Sequence, residues 1–386
     1  MKPSCALVIP AALCCGIIAK SAQAAPKKSH SAASLHRVDS QNNAGMRARI
    51  DIVFCIDCSG SMGGVIETAK QKIWGIVNQI ARAKPSPILR IGLIGYGDGA
   101  RQFRKFPLSD DLDEVYQHLM TFRDQGWSDE YVGLLVHKAT TEMSWAQQGS
   151  HQLNVIYVVG NETARQGPPQ FDYAKTTPRA MNHEIWVNAI YCGSSGGEET
   201  WREMARLGHG EYLHIAGDGG GITIPTPYDK TLDALNVALN KTYLPFGRQG
   251  LMRSRNQARQ DSNAKAVGGL ANSASRAMAK SSMQYNNRGW DLVDAQREKD
   301  FKLSEVKKEA LPPAMQKMNP TQQRAFIAQN ARQRSAVQVK IRKLSEQREA
   351  YIRVQIKKRG LNQTNALDDA IRRSVVGQAT KRGYKF

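Results

Sequence analysis

The chain has 386 residues, of which 41% are apolar and 23% charged, with a formal net charge of +20. Beyond a short amino-terminal stretch no segment is long and apolar enough to cross a bilayer, and the length suits one full domain plus a substantial second region. The charge is uneven: residues 251–386 hold 29 Lys and Arg against 11 Asp and Glu, so basicity belongs to the carboxyl-terminal region.

The chain opens with Met1-Lys2, runs through an apolar stretch to Ile18 and exits at Ala22-Gln23-Ala24. A short positive region, an apolar core and an Ala-x-Ala exit predict a secretory signal peptide over 1–24, hence an exported protein, periplasmic or secreted. Residues 25–47, rich in Ser, Ala and Lys, read as a flexible lead-in. Strands and helices then alternate. Ile50–Ile56 is a continuous apolar strand; Met62, Ile66, Ala69, Ile73, Ile76 and Ile80 recur at helical spacing until Pro85 and Pro87. Leu89–Tyr96 is a second strand, Leu112–Phe122 and Tyr131–Met143 are helices, and Leu153–Val159 and Ile185–Cys192 are further strands. Thr200–Leu207 is a short helix, Tyr212–Ile215 a strand and Asp229–Leu239 a helix. Apolar strands separated by amphipathic helices imply an α/β fold, a doubly wound and mostly parallel sheet covered on both faces. That unit is assigned 48–245.

Residues 246–386 form a basic, mainly α-helical region. A polar, partly helical surface segment (247–290) leads to Trp290, Leu292 and Val293, an anchor seeking an apolar partner. A helix is expected from about Leu292 to Ala310, stopped by Pro312-Pro313. Asn319-Pro320 starts a long helix to about Lys358, ended by Gly360, with an apolar seam of Val337, Ile341, Leu344 and Tyr351. The seam has some coiled-coil character. A last helix spans Ala366 to Gln378.

Three cysteines remain after cleavage, Cys55, Cys58 and Cys192. The Cys55-x-x-Cys58 pair crosses a strand end and lacks a second pair for zinc, so these read as small buried residues. A Cys58–Cys192 disulfide is geometrically conceivable.

The residues that carry chemistry follow the first strand. Asp57, Ser59 and Ser61 share one tight loop at the carboxyl end of a buried strand, where open α/β sheets bind ligands. One carboxylate and two hydroxyls are hard oxygen ligands suited to Mg²⁺, Mn²⁺ or Ca²⁺. A plainer reading of the serines is as caps of the next helix. The spacing Asp57-x-Ser59-x-Ser61 is that of a metal-ion-dependent adhesion site, and the chain from about Ala48 to Pro245 resembles a von Willebrand factor A (VWA) domain, a Rossmann-like fold. The resemblance extends to a second loop, Gly126-Trp-Ser128-Asp129-Glu130, where Asp129, with Ser128 as second choice, takes the position the family gives to Thr. Asp129 has its own plainer reading, as a helix cap. In the third loop Asn161 stands where the family has Asp, with Glu162 adjacent. The tail further resembles that of exported bacterial proteins carrying this domain.

The resemblance implies a cation incompletely coordinated by the protein, whose shell a partner's Asp or Glu completes. The expected function is therefore divalent-cation-dependent protein binding, in adhesion or complex assembly. The alternative is binding of envelope polyanions or anionic lipid through the basic helices. Nucleic acid is not expected outside the cell, and the tail lacks a groove-reading motif. With no Ser-His-Asp order, phosphate loop or His-Glu-x-x-His, no enzyme is expected.

Overall fold

The computed structural model describes residues 47–147, 149–194, 196–220, 222–360 and 366–386. The signal peptide expected over 1–24 and nearly all of the lead-in lie outside the described residues.

Strand β1 (Arg49–Asp57) lies near the centre of a six-stranded sheet because both its faces are apolar. Ile50, Ile52, Phe54 and Ile56 point to one core, whereas Val53 and Cys55 point to the other. The strands β2 (Ile88–Asp98), β3 (Gln102–Ser109), β4 (Gln152–Gly160), β5 (Ile185–Tyr191) and β6 (His209–His214) complete the order β3-β2-β1-β4-β5-β6. All neighbours are parallel except the β2–β3 pair at one edge. The winding reverses between β1 and β4, so Asp57 sits at the carboxyl-end crevice of the switch point.

The helices α3 (Val132–Glu142), α4 (Tyr173–Asn182) and α5 (Glu198–Leu207) cover one face. On the other lie α1 (Gly63–Ile80) and α2 (Leu112–Leu119), joined by a helix from the far end of the chain, α10 (Leu367–Lys381). Leu367, Ala370, Ile371, Val375 and Ala379 of α10 belong to the same apolar cluster as the inward side chains of β1 and β4. Ser374 Oγ lies 2.7 Å from Tyr157 Oη, and Gln378 and Asn188 exchange amide hydrogen bonds. The terminal segment then pairs with the loop after α1, Lys84 and Lys385 exchanging backbone bonds of 2.7 and 2.9 Å.

Between these ends run α6 (Asp229–Asn240), α7 (Gly250–Lys280), the short α8 (Leu292–Ala295) and α9 (Pro320–Lys358). The segment read as largely surface is a 31-residue helix, kinked where Gly268 and Gly269 leave helical dihedrals. The helix expected over Leu292–Ala310 ends at Ala295. Beyond it the apolar residues Phe301, Leu303, Val306 and Leu311 do not recur at helical spacing. The chain instead wraps in short 3₁₀ turns over a satellite core with Leu244, Leu292, Val293 and Ile327.

Two buried ionic clusters fasten the tail. Arg276, wholly buried, bridges Asp113 of α2 and Asp261 of α7 and lies over the Trp74 ring of α1 at 4.7 Å. Lys280, also wholly buried, reaches Asp261 at 3.0 Å. Arg334 of α9 binds Asp291 and Asp294 and donates to Thr242 O at 2.7 Å, holding the Trp290 anchor in place. The described residues make one compact unit. The cysteines Cys55, Cys58 and Cys192 are buried and free.

Candidate metal centre

Strand β1 delivers Asp57 fully buried to the crevice, and the chain turns at once. Ser59 N donates to Asp57 Oδ1 at 2.7 Å, the Asx turn that this residue type favours. Gly97 at the end of β2 permits that approach: its φ is +130° and a Cβ there would stand 3.2 Å from Asp57 Oδ1. Helix α1 begins after Met62 with no side-chain cap, so neither Ser59 nor Ser61 is used as one. Helix α3 likewise begins without a side-chain cap after Tyr131, which removes the capping role for Asp129.

The second loop is laced to both neighbours. Gly60 N donates to Trp127 O at 3.2 Å and Gln125 N to Cys58 O at 2.9 Å. Asp129 N donates to Gly97 O at 3.0 Å and its carbonyl accepts from Gly99 N at 2.6 Å. This pairing leaves the Asp129 side chain exposed and turns Glu130 inward, 2% exposed. Ser128 is exposed as well. In the third loop Asn161 donates to Ser61 Oγ at 2.6 Å. The loop is held by Trp201 Nε1 donating to Glu162 O at 2.6 Å, while the Glu162 side chain stays exposed.

Four oxygens here are buried without a hydrogen-bond donor: Asp57 Oδ2, Ser59 Oγ, Glu130 Oε2 and Asn161 Oδ1. They come from the ends of β1 and β4 and from the loop between α2 and α3. Buried acceptors are rarely left so, and two adjacent carboxylates without a counter-charge cost more still. Burial raises the Asp57 carboxyl above its ordinary range, opposed by the Ser59 amide, with Glu162 raising it further. Burial and then the charge of Asp57 raise Glu130 further. The Ser59 hydroxyl and Glu130 carboxyl influence Asp57 at close range without meeting hydrogen-bond geometry. A set of hard oxygens from two carboxyl groups, a hydroxyl and an amide carbonyl fits a divalent cation of the Mg²⁺, Mn²⁺ or Ca²⁺ kind, to which all four can turn a lone pair. Among the described residues no group of three or more His, Cys, Asp and Glu could hold a metal, so the set depends on hydroxyl and amide oxygens besides its two carboxylates.

Sequence reasoning quoted Glu130 but assigned it nothing. Adjacent residues of an extended loop face opposite ways. The backbone pairing of Asp129 with Gly97 and Gly99, which chooses between them, is a long-range contact.

This fold, a mostly parallel sheet wound in this order with helices on both faces, is the architecture of an α/β protein-interaction domain. Residues 51–220 match the von Willebrand factor type A domain model. No protein of curated function matches the chain by sequence. Among solved structures it is similar to the conserved hypothetical protein BatB from Bacteroides thetaiotaomicron, at 16% identity over 43% of this chain and 90% of that one, with a TM-score of 0.34. Proximal thread matrix protein 1 from the mussel byssus, with a zinc-occupied MIDAS motif, matches at 13% identity over 45% of this chain and 43% of that one, TM-score 0.37. The pilus adhesin SpaC from Lactobacillus rhamnosus GG matches at 13% over 45% of this chain and 28% of that one, TM-score 0.36. This chain thus spans less than half the length of the last two.

Proposed function

We propose that the protein is a divalent-cation-dependent protein-binding module of the cell exterior. Asp57, Ser59, Ser61, Asn161 and Glu130 hold the ion. The carrying observation is the cluster of four donor-less buried oxygens from separate strand ends. When bound, the ion supplies an electrophilic point for an oxygen of a protein partner, such as an Asp or Glu carboxylate. The exposed Asp129 and Glu162 stand on the rim and select what approaches rather than gripping the ion. The reading of residues 1–24 as a signal peptide supports a setting in the periplasm or outside. Among the described residues no helix is long and apolar enough to cross a membrane.

The reading is tested by calorimetric titration of the full-length mature chain with Mn²⁺, Mg²⁺ and Ca²⁺. Glu130→Gln should weaken binding by about tenfold or more, whereas Asp129→Asn should stay within about twofold. The opposite ranking would return the second-loop ligand to Asp129. Equal heats from wild type and Asp57→Ala would remove the site altogether.

A second reading draws on the outer side of α9, where Lys340, Lys343, Lys357 and Lys358 are exposed. Such a row attracts anionic polymers or lipid headgroups without sequence specificity. Envelope binding that falls steeply with salt and ignores chelator would favour this reading.

A further inference from the structure

Away from the cation site, a cavity of about 310 Å³ opens between α1, the kink of α7, α9 and α10. Lys72 of α1, Arg348 and Arg353 of α9 and Arg372 of α10 line it with Arg82, against Asp368 and Glu349. Glu349 pairs with Arg82, Arg348 with Asp229 and Arg372 with Asp369, which leaves Lys72 and Arg353 as the lining cations without an ion pair among the described residues. Lys72 holds Ile222 O at 2.9 Å and is largely buried. Burial lowers its affinity for a proton, and Arg372 and Arg348 press in the same direction against Asp368. An ammonium in that position gains from any anion that enters. Ile222, Ile224, Ile352 and Ile356 give the same cavity an apolar lining.

A second observation is Gly75, near the middle of an 18-residue helix. Glycine is a poor helix residue, and no close packing demands it here. A Cβ added at this position would meet nothing nearer than Asp368 Oδ2 at 4.0 Å. What the missing side chain leaves is cavity space, on the wall between Lys72 and Gln79.

We propose that this cavity binds a small amphiphilic oxyanion, a phosphate or carboxylate head on a compact apolar body. The head sits against Lys72, Arg372 and Arg348, and the body lies along the isoleucine wall over Gly75. The volume is that of a small-ligand pocket, and its mixture of convergent charge and apolar lining is what such ligands use. The site is separate from the cation centre and does not depend on it.

The test is calorimetry on the full-length mature chain with hexyl phosphate, hexanoate, inorganic phosphate and hexanol. One hexyl anion should bind saturably, about tenfold tighter than inorganic phosphate or hexanol, because both halves of the site are engaged. The tighter of hexyl phosphate and hexanoate identifies the head group. Lys72→Gln should weaken it about tenfold. Gly75→Leu, which fills the space without removing a charge, should abolish it while circular dichroism and the unfolding midpoint stay near wild type. Arg353→Gln, on the exposed rim, guards against misfolding of the other two and should weaken binding about threefold. Asp57→Ala should bind the hexyl anion as wild type does. Saturable heat from neither hexyl probe overturns the proposal. So does equal affinity for hexyl phosphate and inorganic phosphate, or hexyl binding untouched by both Gly75→Leu and Lys72→Gln.

Discussion

Two clusters of buried charge in this molecule differ in one respect. Around Arg276 and Lys280 the counter-charges Asp113 and Asp261 are present, and Tyr285 and Asn240 supply further hydrogen bonds. Around Asp57 and Glu130, among the described residues, no cation is ion-paired with either carboxylate and only the Ser59 amide donates to them in hydrogen-bond geometry. The first cluster carries its own counter-charges, though Arg276 Nη1 lacks an acceptor among the described residues, and its work is to join α7 to α1, α2 and α6. The second carries a deficit that the fold tolerates and an external ion can fill. Burial alone does not separate a structural ionic site from a binding one; the balance of donors and acceptors does.

The contrast is most sharply tested by deletion. Asp57→Ala should abolish measurable Mn²⁺ binding, a loss of about 100-fold or more, with little loss of stability in chelator. Arg276→Ala leaves buried Asp113 without an ion pair and Asp261 with Lys280 alone, and should cost about 3–5 kcal/mol in denaturant unfolding. A cost under about 1 kcal/mol would mean that the cluster does not bind the tail to the domain.

Acid titration should separate the clusters by sign. Burial alone would raise the Asp261 carboxyl, but Arg276 and Lys280 more than offset it and hold it below the ordinary range. Its contribution is therefore present above the unfolded-state value of about 4 and is lost as pH falls through and below it. Asp261→Asn should destabilise the protein at neutral pH and flatten that acid limb. The raised Glu130 has the opposite sign: its folded form prefers the proton, so its ionisation costs stability once pH exceeds the unfolded-state value. In chelator, Glu130→Gln should raise neutral-pH stability by on the order of 1 kcal/mol, with no gain at about pH 4. Excess Mn²⁺ should reverse that gain, since wild type alone retains the full ligand set. The smallest effect belongs to Ser374→Ala, about 1 kcal/mol, reporting the hydrogen bond that seats α10 on Tyr157.

The elements legible in the sequence are those whose pattern is set by their own burial. Strands β1 and β4 are apolar on both faces and were readable as continuous runs, as was the switch-point loop that follows β1. Strand β3 was not: as an edge with Arg104, Lys105 and Pro107 it has no buried alternation to display. Helix α4 hides behind its internal Pro178. The length of α7 was obscured because its inward residues are Ala, Asn, Gln, Arg and Lys, satisfied by partners distant in the chain. The same kind of long-range pairing decided between Asp129 and Glu130. Asp57, Ser59, Ser61 and Asn161 could be proposed from the sequence because they follow the ends of β1 and β4 directly and stand at positions the VWA resemblance points to.

Helix α10 has a bearing on biosynthesis. Residues 367–379 wall off a sheet face that begins more than 300 residues earlier in the chain. Until that helix leaves the ribosome, the inward rows of β1 and β4 lack part of their apolar cover. Maturation should therefore be post-translational, and excision of residues 51–220 by themselves should yield a sticky, aggregation-prone fragment.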